Sequence, residues 1–370
     1  MATDVATMRA SVLDAFRTKE PTCDLFMPLC FFDYFTDMPG YKEADDELAF
    51  RVAFYESIGA TFMDWCGGNA YRGETDPSVK VTMADENDGL RGIETFETPV
   101  GSLTQIFERR PDLNAGYIVK PMLESEADLR VYRYIIEAET VIPTPEAAHK
   151  WLDTVGGAGV AMQPGCCQPF HRLLYSFGPE KFLVMAMEGL SQTVMDLFPV
   201  IHAQGIAQAQ ALAESPIKAI NHQASWDIGQ LSPALFGEYY VPYLREYTDI
   251  LHETGTFSGD HISGHDVIPF AEQFEASGMD FLYGINLTPD SAAGLRDLAD
   301  EWRGKLLMCL GVDPMALWYN DIDECRRQLE LFRAVFGDRH AIFATADAAV
   351  AGTPPEKLQL AVNILTRRGA

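Results

Sequence analysis

Basic residues are scarce in this chain. Lys and Arg total 28 against 54 Asp and Glu, a formal charge of −26 over 370 residues. A phosphate backbone demands a basic footprint, so nucleic acid is disfavoured as a partner, and an anionic membrane surface equally so. No apolar run reaches the roughly 18 residues of a membrane span. The opening M-A-T-D-V-A-T-M-R-A carries an early acid and no apolar stretch, so no signal peptide is expected. No G-x-G-x-x-G follows an apolar run and no G-x-x-x-x-G-K-[ST] occurs, which removes two common phosphate cradles. The cysteines are odd in number, at 23, 30, 66, 166, 167, 309 and 325, with no C-x-x-C among them. Free thiols in a reducing, cytoplasmic compartment are therefore expected.

What is present is a large supply of core. Hydrophobic residues make up 47% of the chain and charged ones only 22%, which argues against disorder. Apolar runs suited to strands lie at 24–32, 60–66, 159–163, 217–222, 255–261, 280–285, 305–310 and 341–345. From residue 144 onward they alternate with helical tracts, expected at 144–155, 178–213, 232–253, 266–276, 321–335 and 355–367. Strands too apolar to have a wet face, alternating with helices, predict a parallel sheet covered by helices. Eight such strands predict an α/β fold of the (β/α)8 TIM-barrel type, a single domain over 1–370. Residues 67–143 break the alternation and read as an insertion or lid beside the barrel, with hairpin material at 79–105 and its turn at 98–102.

In such a barrel all strand carboxyl ends meet at one mouth, where the chemistry is placed. The turn Phe257–Asp266, F-S-G-D-H-I-S-G-H-D, is the richest in functional groups. The mouth is expected to gather Asp33, Tyr34, Cys66, Cys166, Cys167, His222, Asp227, His261, His265, Asn286, Cys309, Asp313 and Asp347. That set holds acid–base groups and metal ligands and almost no Lys or Arg, which favours a neutral or cationic substrate, or a metal ion. His222 and Asp227 flank one turn and suit an acid–base pair, the catalytic candidates. Tyr34, His265, Asn286 and Cys309 are candidates for holding substrate, although a buried free cysteine is more often a small hydrophobe.

The segments E-T-P-V-G-S-L (97–103), D-I-G-Q-L-S-P-A-L-F-G-E-Y-Y-V-P-Y-L (227–244), H-I-S-G (261–264), G-V-D-P (311–314) and G-T-P-P-E-K-L (352–358) occur in an order and spacing that resembles the uroporphyrinogen decarboxylase superfamily. The likeness is strongest to its cobalamin-dependent methyltransferase branch. The decarboxylase has an arginine-bearing loop after the first strand and a Gly-His pair near the last. This chain has C-F-F-D-Y-F-T-D-M-P-G-Y and A-T-A-D-A-A in those places. The methyltransferases carry H-x-C-G and a further cysteine before T-P-x-E, which hold zinc. Here His261 matches, Ser263 stands in the first cysteine position and Asp347 in the second. The resemblance thus implies His261 and Asp347 as metal ligands, with His265, His222 or Cys309 as a third, and zinc as the ion.

What the resemblance implies about function is a methyltransferase moving a methyl group between a small methylated or methoxylated compound and cobalamin carried by a separate corrinoid protein. The chain has no D-x-H-x-x-G cobalamin-binding motif of its own. A decarboxylase or lyase acting without corrinoid and a non-catalytic binding subunit are the alternatives, and a homo-oligomer is compatible with each.

Overall fold

The structure, a computed structural model, describes residues 8–65, 70–110, 115–222, 231–262, 266–337 and 339–367. The chain enters as a helix, Met8–Thr18, followed by β1 (Leu25–Met27), the helix Glu47–Ile58 and β2 (Phe62–Trp65). Between this strand and the next barrel strand runs a separate antiparallel module. Its stem pairs β3 (Tyr71–Thr75) with the later β8 (Glu139–Pro143). Its body is the meander β4 (Lys80–Glu86), β5 (Arg91–Thr98), β6 (Gly101–Arg110) and β7 (Ala115–Lys120). The helix Leu129–Glu137 covers part of this meander, burying Leu129, Val131, Tyr132, Ile135 and Ile136.

The regular part continues with β9 (Gly159–Pro164), β10 (Ala219–Asn221), β11 (Phe257–His261), β12 (Phe281–Leu287), β13 (Leu307–Val312) and β14 (Ile342–Thr345). With β1 and β2 they form one parallel sheet of eight strands, ordered β1-β14-β13-β12-β11-β10-β9-β2. The two end strands meet where the Thr61 amide donates to the Phe26 carbonyl at 2.9 Å, so the sheet is a nearly closed (β/α)8 barrel. All eight strands lie on the apolar runs legible in the sequence, with β9, β12 and β13 running one or two residues past them, because strands buried on both faces are apolar throughout.

Alternation along the strands separates two cores. Leu25, Met27, Met63, Val160, Met162, Phe281, Tyr283, Leu307, Cys309 and Ile342 fill the lumen, while Phe26, Leu282, Ile285, Met308, Leu310 and Phe343 face the helices. The first helix seals the amino end of the lumen. Its Val12, Ala15 and Phe16 join the luminal cluster, and the Phe16 ring stacks on Phe281 at 4.1 Å between centroids.

Helices start where a side chain accepts from the unpaired first amides or where a proline removes one of them. Asp46 accepts from the amides of Leu48 and Ala49, and Asp321 from those of Asp323 and Glu324. Two expected long helices are broken instead. The tract 178–213 divides into Pro179–Glu188, Gln192–Met195 and Phe198–Ala213, and 232–253 into Pro233–Tyr239 and Val241–His252. Gly189 ends one segment, and Pro199 and Pro242 fall in the first turns of later ones, where a missing N–H costs nothing. Among the described residues no helix is long and apolar enough to cross a membrane.

At the amino end of the barrel one carboxylate ties three chain segments together. Asp24, 4% exposed in its side chain, accepts from Arg333 Nη1 and the Ala341 amide through Oδ1 and pairs with Arg367 Nε through Oδ2, all at 3.0 Å. The same two arginines donate to the carbonyls of Gly337 and Arg339.

Candidate active site at the barrel mouth

The last residue of β11 is His261. Phe257, four residues earlier on the same face, packs into the luminal core, so alternation turns the His261 ring to the lumen, where it lies 5.4 Å from the Tyr283 ring. Its Nε2 is 3.0 Å from the Ala346 carbonyl oxygen. A carbonyl only accepts, so this nitrogen carries the proton, and Nδ1 is the basic nitrogen of the neutral ring. Burial lowers the pKa of the imidazole, opposed by the nearby negative charge of Asp347 and the Ala346 bond.

The space for this ring is made by a break in β12. Gly284 has φ +76° at a register shift between Tyr283 and Ile285. A side chain there would bring a Cβ within 2.5 Å of the Ala346 oxygen and 2.7 Å of the imidazole. Only glycine meets both demands, a left-handed backbone and an empty Cβ position.

Beyond the bulge Asn286 lies between Ile285 and Leu287, both packed outward, so it faces the lumen. Its Oδ1 is buried and, among the described residues, has no hydrogen-bond partner. Gln168, 2% exposed in the turn after β9, likewise has neither its side-chain oxygen nor its nitrogen paired among the described residues. Buried polar atoms of this kind are uncommon and fit a ligand that supplies the partner. Asp347 follows β14, is exposed, and accepts from the Ala348 amide at 2.6 Å. The strand-end turns 28–33, 164–168, 286–291, 311–313 and 346–353 contain Asp33, Asp290, Asp313 and Asp347 and not one Lys or Arg.

The other expected residues are placed differently. Cys309 is luminal but one layer deeper, fully buried, and burial holds its thiol well above the ordinary range. Tyr34 belongs to the outer core; its hydroxyl donates to the Thr353 carbonyl at 2.9 Å and joins the first loop to the last. His222 points between β10 and the helix layer. Its Nδ1 accepts from the Cys166 amide at 3.3 Å, and Nε2 donates to Ser258 Oγ at 2.9 Å, which is bonded in turn to Thr248. Asp227 and His265, with Ser263 and Cys66, lie outside the described residues. The structure therefore brings His261, Asn286 and Asp347 to one mouth, with Cys309 beneath, and sets His222 and Tyr34 among the helices. Gly284, the Ala346 carbonyl and Gln168 were missed in the sequence. The one available signal was an isolated glycine inside the strand-like F-L-Y-G-I-N-L.

His222 has a consequence for stability. Burial pushes its pKa down to about 4 from the ordinary 6.5. The unfolded chain therefore takes up this proton first as pH falls, and stability present above pH 6.5 is lost progressively toward pH 4. The shift corresponds to on the order of 3 kcal/mol. His171, lowered to about 4 by burial, acts in the same direction. Urea unfolding midpoints should drop steeply between pH 7 and pH 5. In His222→Gln that drop should be shallower, from a lower starting value; an unchanged pH dependence would contradict the assignment.

A scan against known protein families finds no match to this chain, and a search of curated proteins finds none. Solved structures do match. A methyltransferase from Methanosarcina mazei aligns over 98% of this chain and 100% of its own, with a TM-score of 0.59 and 12% sequence identity. A protein described as a candidate vitamin-B12-independent methionine synthase from Listeria monocytogenes aligns over 94% of this chain and 97% of its own, with a TM-score of 0.45 and 12% identity. The first likeness, at this identity, establishes a shared barrel fold.

Proposed function

We propose that the chain is an enzyme transferring a methyl group between a small neutral or cationic methylated compound and a corrinoid carried by a separate protein. The observation that carries this reading is the luminal His261, neutral and backed by a carbonyl, in a mouth whose turns hold carboxylates and no cation. The M. mazei methyltransferase, with the same barrel, supports it, as do the motifs at 227–244, 261–264 and 352–358.

A corrinoid would supply the methyl acceptor, and the chain's own groups do the rest. Asn286 Oδ1 accepts a hydrogen bond from the substrate and orients it. As the carbon–heteroatom bond breaks, its electron pair passes to the leaving oxygen or nitrogen; from a neutral donor that atom leaves as an anion and needs a proton, whereas a cationic amine leaves neutral and needs none. His261 carries that proton between solvent and leaving group, and Asp347 favours the imidazolium form on the way.

The described residues do not complete a zinc site. His261 and Asp347 supply two ligands at most, and a catalytic zinc takes three protein ligands. Among the described residues no group of three His, Cys, Asp or Glu side chains comes together to hold a metal.

The test uses chemically reduced cob(I)alamin, the purified chain and a panel of methoxylated aromatics and methylated amines, followed by the absorbance change on corrinoid methylation. Saturable, enzyme-dependent demethylation of at least one neutral or cationic donor is the expected result. No transfer to cobalamin, free or protein-bound, together with turnover of a carboxylic acid by the chain alone, would replace the proposal with a lyase.

A further inference from the structure

A cavity lies at the opposite end of the barrel from the mouth. It measures about 280 Å³, near the lower end of small-molecule pockets. Lys19 leads into β1, Arg303 and Leu306 into β13, and Arg339 and His340 into β14; all five line it, with Arg296 from the helix Ala292–Glu301. Its apolar wall is Met308 and Leu310, on the outward face of β13, with Phe336 from the helix Ile322–Phe336.

The charge of this lining runs against that of the chain. Acids outnumber Lys and Arg almost two to one overall, 54 to 28, yet four Lys and Arg line the cavity against Asp300 and Glu20. Lys19 is engaged by Asp280 and Arg296 by Asp297, neither of which lines the cavity. Arg303 and Arg339 share a single carboxylate, Asp300, at 3.6 and 2.8 Å. Two guanidiniums on one carboxylate leave a surplus positive charge and several N–H donors. His340, near Asp24 at 3.6 Å, lies beside them.

The geometry points to a binding site for a small organic anion with an apolar body. Its carboxylate or phosphate head sits between Arg303 and Arg339, where guanidinium forks match planar oxyanions. Its apolar part lies along Leu306, Met308, Leu310 and Phe336. The anionic head of such a ligand is not satisfied by the mouth, which lacks cations in its turns. The site is independent of the reaction proposed above.

Octanoate is the probe, titrated calorimetrically into the whole chain, with octanol and inorganic phosphate as the apolar and anionic halves alone. One octanoate per chain is expected, at least tenfold tighter than either half. Arg303→Gln and Arg339→Gln should each weaken it about tenfold. Asp300→Asn, which removes the competing carboxylate, should tighten it; this variant guards against reading a folding defect as lost binding. Octanoate binding no better than octanol, or unmoved by all three substitutions, would overturn the proposal. Phosphate binding as tightly as octanoate would overturn the amphipathic ligand class.

Discussion

His261→Ala is expected to lower the methyl-transfer rate about 10²- to 10⁴-fold, the range lost when a positioned acid–base group is removed. The variant should still fold, since stranding the Ala346 oxygen costs about 1–3 kcal/mol. His261→Gln separates the two roles. A glutamine amide can still donate to the Ala346 carbonyl, so stability should return, while the rate should not, because an amide does not titrate. Single-turnover rates across pH, beside urea midpoints, make the comparison. The low-pH limb of the wild-type profile should reflect a histidine held below its ordinary pKa by burial and should vanish in both variants. A His261→Ala protein as fast as wild type would remove the mouth from the chemistry altogether.

The largest stability effect should come from the other end of the barrel. Asp24→Ala is expected to cost about 3–5 kcal/mol, the usual penalty for removing one partner of a buried ion pair. Arg333, 12% exposed in its side chain, would lose its carboxylate, and the Ala341 amide at the start of β14 would lose its acceptor. Arg367, one-third exposed, recovers part of its solvation, which places the estimate toward the lower figure. Asp24→Asn keeps an acceptor oxygen for the amide while losing the charge, and should fall between. Denaturant unfolding of the three proteins checks the order. A loss under about 1 kcal/mol in Asp24→Ala would mean that the cluster behaves as a surface pair.

Much of the fold was legible because barrel strands are apolar on both faces and appear as runs, from Asp24–Phe32 to Ala341–Thr345. The same property hid part of the site. When both faces of a strand are apolar, composition cannot say which parity lines the lumen. Ala219 faces inward, so His222, three residues on, faces the helices, and nothing in I-K-A-I-N-H marks the difference. His261 was legible because it closes a strand and opens a polar turn. Its partner was not: the Ala346 carbonyl belongs to a backbone 85 positions away and leaves no side-chain trace. The antiparallel module after β2 showed as broken alternation, but its meander became visible only once four strands were paired, β5 and β6 at its centre.

The seal formed by the first helix sets a timetable for the chain's birth. Lys19 is separated from Asp280 by 261 positions, and Asp24 from Ala341 by 317. At a translation speed of about 5–20 residues per second, the β1 segment waits roughly a quarter of a minute to a minute for its neighbour β14 to be made. Throughout that interval Val12, Ala15 and Phe16 have no barrel to close. Their apolar stripe is then a natural handhold for chaperones on the ribosome, and the pace of elongation governs how long it stays uncovered.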